Sequence, residues 1–157
     1  DLIYIREGAI DAALKLLKKG GMTIYADTNM ITAGVNKKVL SALNCKVVSY
    51  VRDERTAEIA KKAGITRSMA AVERAVEEDI KFFVFGNAPT ALCRLKELIE
   101  DGRCSPNFVI AAPVGFVGAE KSKKDFEKLS IPMITIRGRK GGSTVAAAIV
   151  NALLYML

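Results

Sequence analysis

Five short apolar runs, Met22–Ala26, Cys45–Val51, Phe82–Phe85, Phe108–Ala112 and Met133–Ile136, recur along the chain, separated by amphipathic segments of helical length. Continuous apolar runs of four to seven residues suit strands covered on both faces, the environment of a parallel sheet between helix layers. The intervening segments carry apolar stripes at helical spacing: Met69, Val72 and Val76 form one, and Leu92, Leu95, Leu98 and Ile99 another. Strands that alternate with helices over short connections predict a doubly wound, three-layer α/β/α fold around a mainly parallel five-stranded sheet. No linker, repeat or low-complexity tract interrupts this order, so residues 1–157 read as one domain. A chain of this size buries roughly two-thirds of its unfolded surface and needs no disulfide or metal to fold.

Cysteine and histidine usage narrows the chemistry. Cys45, Cys93 and Cys104 are odd in number and show no C-x-x-C spacing, and histidine is absent. Neither a disulfide framework nor a zinc site fits, so the thiols read as reduced and the protein as cytoplasmic. The net charge of +7 favours an anionic partner. Its lysines and arginines are spread over helices and turns without interleaved aromatics, which argues against nucleic acid and leaves much of the excess to solvated helix faces. Ser143–Leu157 is nearly all apolar but shorter than the about 20 residues of a membrane span. It reads as a buried helix or one packed on a second subunit, with a slight preference for the subunit contact. The chain opens at Asp1-Leu2-Ile3-Tyr4 without a methionine or signal peptide, so a further segment is expected upstream.

Ligands of open α/β sheets bind beyond the carboxyl ends of the strands, so the loops there deserve reading one by one. Asp27-Thr28-Asn29-Met30 follows the first run and suits an Asx turn or a helix N-cap. Thr66-Arg67-Ser68 precedes a helix predicted over Met69–Asp79; Thr66 or Ser68 can cap it. Arg67 opposes the helix dipole unless an anion docks there. In Gly86-Asn87-Ala88-Pro89-Thr90, Pro89 fits a helix start, while Asn87 and Thr90 can cap it or bind ligand. The loop Pro113-Val114-Gly115-Phe116-Val117-Gly118 holds apolar Phe116 and Val117, suited to flooring a pocket for a flat ligand or to loop packing; Gly115 and Gly118 permit close backbone approach. Arg137-Gly138-Arg139-Lys140-Gly141-Gly142-Ser143 sets three cations and three glycines before the last helix, the ingredients of an anion cradle. Neither G-x-x-x-x-G-K-[ST] nor G-x-G-x-x-G occurs, so nucleoside-triphosphate and dinucleotide sites are unsupported.

Taken in order, Asp27–Met30, Thr66–Ser68, Gly86–Leu92, Pro113–Ala119 and Arg137–Ser143 resemble the precorrin-8X methylmutase family of corrin biosynthesis, over essentially the whole chain. The resemblance implies a flavodoxin-like fold, a homodimer with active sites near the subunit interface, and an isomerase that moves a methyl group between neighbouring carbons of a metal-free or cobalt-containing corrinoid. It implies no cofactor and no resident metal. The partner is then a polycarboxylate tetrapyrrole, not nucleic acid or membrane. Phe116 and Val117 would floor its macrocycle, with Gly115 and Gly118 beside them. Arg67, Arg137, Arg139 and Lys140 would hold its carboxylates. Asp27, Thr28, Asn29, Thr66, Ser68, Asn87, Thr90, Gly141, Gly142 and Ser143 would complete the site. The family's histidine, a donor to a ring nitrogen, falls upstream of residue 1, so the intact polypeptide is expected to extend there and contain it. The alternative is a non-catalytic tetrapyrrole-binding relative; a sugar-phosphate- or nucleotide-binding flavodoxin-like protein and an RNA-binding protein explain fewer of these residues.

Overall fold

The computed structural model describes residues 2–157. In chain order the elements are β1 (Ile3–Ile5), α1 (Ala9–Lys19), β2 (Thr23–Ala26), α2 (Asn29–Gly34), α3 (Lys37–Ala42), β3 (Lys46–Val48), α4 (Glu54–Ala63), α5 (Arg67–Glu77), β4 (Phe82–Phe85), α6 (Pro89–Glu100), β5 (Phe108–Ala111), α7 (Ala119–Glu127), β6 (Met133–Ile136) and α8 (Ser143–Tyr155). They build one sheet in the order β1-β6-β5-β4-β2-β3, parallel except for β1. The five parallel strands thus follow the 2-1-3-4-5 order of flavodoxin-like folds, with the reversal of winding between β2 and β4.

The strand period of two divides the apolar residues between two cores. Ile24 and Ala26, Phe82 and Val84, Phe108 and Ile110, and Ile134 and Ile136 face α1, α2, α3 and α8. Tyr25, Phe83 and Phe85, Val109 and Ala111, and Met133 face a layer that includes α5, α6 and α7. Both faces are covered, which is why these strands read as unbroken apolar runs.

One expectation changes. The sheet has six strands rather than five, because Ile3–Ile5 pairs antiparallel with β6, Ile3 opposite Ile136 and Ile5 opposite Ile134. A three-residue edge strand whose Ile3 and Ile5 stay exposed leaves no run long enough to read. The apolar last helix is buried within the chain itself: Ala146, Ala147, Val150, Leu153 and Leu154 join the α1, α2 and α3 core. Its one strongly polar interior residue, Asn151, accepts a hydrogen bond from the Asn36 N–H (2.8 Å) and donates to the Gly34 carbonyl (2.9 Å), fixing α8 against the α2–α3 junction. Among the described residues no helix is long and apolar enough to cross a membrane.

Candidate active site

The loops after β2, β4, β5 and β6 lie at the carboxyl edge of the parallel strands, as does the N-terminus of α5, which runs back along the sheet into β4. The centre of this edge is the crevice where winding reverses. Asp27 leaves β2 there, only 2% exposed. Its Oδ1 accepts the Gly86 N–H (2.8 Å) and its Oδ2 accepts the Asn87 and Ala88 N–H groups (both 2.9 Å). Burial pushes this carboxyl above its usual range, against the three backbone donors that favour its charge. Asp27 therefore faces protein and splices the β2 loop to the β4 loop. The capping expected of Asn87 or Thr90 does not occur: α6 begins at Pro89 behind Ala88 with no side-chain cap, and both Asn87 and Thr90 stay exposed.

A second splice joins β2 to β6. Thr28 caps α2 by accepting the Ile31 N–H (3.3 Å), and its Oγ1 lies 2.8 Å from the Ser143 Oγ at the start of α8. Gly86 lies so close to Ser143 that a Cβ there would come within 2.6 Å of the Ser143 Cα. Asn29 next to this junction is exposed.

A third splice joins the β5 and β6 loops. The Gly115 N–H donates to the Arg139 carbonyl (3.1 Å) and the Gly142 N–H to the Ala112 carbonyl (2.9 Å). Gly141 has φ +154°, and a Cβ there would sit 2.3 Å from the Ala112 oxygen, so the crossing requires glycine. Phe116 and Val117 project from this support 87% and 90% exposed. The Arg139 guanidinium lies over the Phe116 ring, 5.7 Å from its centroid.

Hollows flank the Phe116–Gly118 tip on both sides. One, about 400 Å³, is lined by Met69, Pro89, Thr90, Cys93, Glu97, Val117 and Gly118. The other, about 560 Å³, is lined by Phe116, Gly118, Glu120, Lys121, Lys124, Asp125, Lys128 and Arg139. Thr66 caps α5 by accepting the Met69 N–H (3.2 Å), which sets exposed Arg67 and half-buried Ser68 beside the first hollow.

Arg137 stands apart from this gathering. Its Nε and Nη2 bond the Glu127 carboxylate (3.2 and 2.9 Å), and its guanidinium stacks on Tyr4 at 4.1 Å. Lys140 is exposed, and its backbone carbonyl accepts the ammonium of Lys123 (2.8 Å). Lys123 is the site-edge residue that sequence reading missed. It is 1% exposed, although it belongs to a lysine-rich segment that reads as a solvated helix face. The signal available was the helical period, which puts Lys123 on one stripe with buried Ala119 and Phe126.

An exposed aromatic tip, a guanidinium beside it, free cations at the rim and the N-termini of α5, α6 and α8 suit a broad ligand with an apolar body and anionic arms. Fold and site together define a flavodoxin-like α/β protein whose candidate site lies at the carboxyl edge of its sheet. The chain belongs to the precorrin-8X methylmutase (CbiC) family, which matches residues 1–156. It is 45% identical to the cobalt-precorrin-8 methylmutase of Salmonella typhimurium over 159 residues, covering 100% of this chain and 73% of that protein. It is 39% identical to the Leptospira interrogans cobalt-precorrin-8 methylmutase over 165 residues, covering 99% and 74%. The solved structure of a precorrin-8x methyl mutase from Thermus thermophilus superposes with a TM-score of 0.89 at 33% identity, covering 99% of this chain and 76% of that one.

Proposed function

We propose that this chain is the corrinoid-binding body of a methylmutase, an isomerase of corrin biosynthesis that migrates a methyl group on precorrin-8X or cobalt-precorrin-8. The observation that carries this reading is the splicing of four loops into one edge, where Phe116 and Val117 stand exposed beside Arg139. A macrocycle laid on the aromatic tip keeps its apolar faces out of water, while its peripheral carboxylates reach Arg139, Lys140 and Arg67 and the N–H groups at the helix starts. Arg137 sits at the outer rim, shared with Glu127. Thr28, Asn29, Asn87, Thr90 and Ser143 offer neutral hydrogen bonds to amide or carboxyl arms.

In an intramolecular migration no group leaves the substrate, so the protein's task is to hold the ring and favour the rearranged π-system over the starting one. Rigid loops serve this, because a ring displaced by one ångström loses alignment between its reacting carbons and any donor to its nitrogens. The enzyme is read as a cytoplasmic homodimer. Three unpaired cysteines and the exposed Ile3, Phe116, Val117, Tyr155 and Met156 support that reading.

Spectral titration with cobyrinic acid, a corrinoid heptacarboxylate, should give saturable shifts, while ATP and an RNA oligonucleotide give none. Binding of the nucleotide but not the corrinoid would overturn the reading. Sedimentation at micromolar concentration should report twice the monomer mass, and a monomer would remove the shared-site arrangement.

A further inference from the structure

We propose that Lys123 is the positioning residue of the anion loop: its buried ammonium grips the Lys140 carbonyl and holds residues 137–142 in the shape that presents Arg139 to a carboxylate. The inference that this tunes corrinoid binding rests on the function proposed above; the grip itself does not.

A lysine reaches such a position only for a reason, because burying an ammonium away from water is costly unless strong acceptors meet it. Lys123 emerges from α7 between Ala119 and Phe126 on the inward stripe, 1% exposed, and its Nζ makes one hydrogen bond among the described residues, 2.8 Å to the Lys140 carbonyl. The flanking carbonyl, that of Arg139, accepts the Gly115 N–H. Two successive carbonyls of the basic loop are therefore tied down, one by α7 and one by the Phe116 loop, and the Gly142 N–H closes the far end on Ala112. A neutral amine is a weaker donor than an ammonium, so this grip depends on the charge of Lys123.

The surroundings say where that charge is lost. Glu120, one turn earlier on α7, favours the ammonium, while burial opposes it and pushes the group down to about 8. The β6–α8 loop brings only cations, Arg137, Arg139 and Lys140, of which Arg137 is paired with Glu127 at the end of α7, and the residues of β5 and β6 in the core beneath α7 include no ionisable group. The ionisable Cys93 and Lys96 of α6, which packs on α7, sense Asp125 rather than Lys123. An anion docked at Arg139 adds the negative charge that the site lacks, so ligand and ammonium reinforce one another.

The test uses Lys123→Met and Lys123→Arg. Without ligand, amide hydrogen exchange at Gly115 and Gly142 reports the loop crossing. In Lys123→Met both should exchange about tenfold faster or more at pH 7, the scale of one charge-assisted bond, and Lys123→Arg should recover most of the protection. With cobyrinic acid, wild-type affinity should fall between pH 7 and 9.5, as Lys123 loses its proton, while Lys123→Met binds more weakly at pH 7 with no step in that range. Carbon-13 labelling of the lysine side chains should show the Lys123 titration moving to higher pH on binding. Unchanged exchange in Lys123→Met overturns the positioning role, whatever the ligand does. Equal affinity and an equal pH profile in Lys123→Met overturn the coupling to binding. Failure of the wild type to bind at any pH would strike the corrinoid reading instead, with the exchange result still deciding the role of Lys123.

Discussion

Asp27→Asn removes one negative charge and almost no volume, and so isolates the splice between β2 and β4. The carboxylate presents two oxygens to three backbone donors: Gly86 N–H on one, Asn87 and Ala88 N–H on the other. An amide has a single acceptor oxygen. Turned toward Asn87 and Ala88, it sets its own NH2 against the buried Gly86 N–H; turned the other way, it leaves two donors unpaired. The minimum loss is one buried, unsatisfied N–H, about 1–3 kcal/mol. Relief from burying a charge offsets part of this, since burial already pushes the Asp27 carboxyl upward. The expected net cost for Asp27→Asn is about 1–2 kcal/mol, and for Asp27→Ala, which abandons all three donors, about 2–5 kcal/mol.

Urea melts followed by far-ultraviolet circular dichroism measure this directly. In a domain of this size each kcal/mol lowers the melting temperature by about 2–4 °C. The urea midpoint should fall with an unchanged slope, because the exposed surface on unfolding is the same. Cobyrinic acid affinity should fall too, since the Gly86–Ala88 backbone loses its anchor. A stability change within about 0.5 kcal/mol for Asp27→Asn would mean that water or the loop itself satisfies these donors, and the splice argument would be wrong.

Other perturbations separate the remaining parts. Arg139→Ala should weaken cobyrinic acid binding by about 1.5–3 kcal/mol while Arg139→Lys recovers only part, with little change in the denaturation midpoint; binding that survives would make the loop a solvated turn. Arg137→Ala should leave the same melts nearly unchanged, because its pair with Glu127 is exposed, and a clear fall in the midpoint would show a structural role. Gly141→Ala should destabilise by about 1–3 kcal/mol, because its Cβ would meet the Ala112 oxygen at a φ that L residues avoid; an unaltered melt would refute the close crossing. Lys123 gives a pH signature: its folded-state value of about 8 lies below the unfolded one, so between about pH 8 and 10.4 the unfolded chain binds more protons and this group's contribution rises with pH. The stability of wild type relative to Lys123→Met should therefore move in favour of wild type across that window, and a constant difference would refute the buried ammonium.

What could be read from sequence followed from how each residue announces itself. Strands β2, β4, β5 and β6 were legible because both faces are covered and every position but Thr23 and Thr135 is apolar. The start of α6 was legible because proline there lacks the N–H that a helix start leaves unpaired. Strand β1 was hidden by its length, and the role of Asp27 by distance: its three partners lie 59 to 61 residues away, and local reading offers only a nearby turn or cap. Lys123 was hidden by its neighbours, since Lys121 and Lys124 on either side are solvated and only the helical period distinguishes it.

The divergence of Arg137 and Arg139 shows how register, rather than proximity in sequence, decides which cations serve a site. Along β6, Met133 faces the α7 layer while Ile134 and Ile136 face the α8 core. The same alternation carries one residue past the strand, where the Arg137 N–H still bonds the Leu2 carbonyl (2.7 Å), so the Arg137 side chain turns to the α7 side. Glu127 at the end of α7 is waiting there, as is Tyr4, placed on that face by the antiparallel pairing of β1. Gly138, at φ +79°, then breaks the strand register, and Arg139 leaves in a new direction, over Phe116. Three adjacent cations that look like one cradle in sequence are thus divided by a single left-handed residue. Arg137 reinforces the sheet edge, Arg139 faces the hollow, and the Lys140 backbone is held by Lys123. A residue at position 138 unable to adopt positive φ would erase that division, which makes glycine there as much a determinant of the site as the arginines it separates.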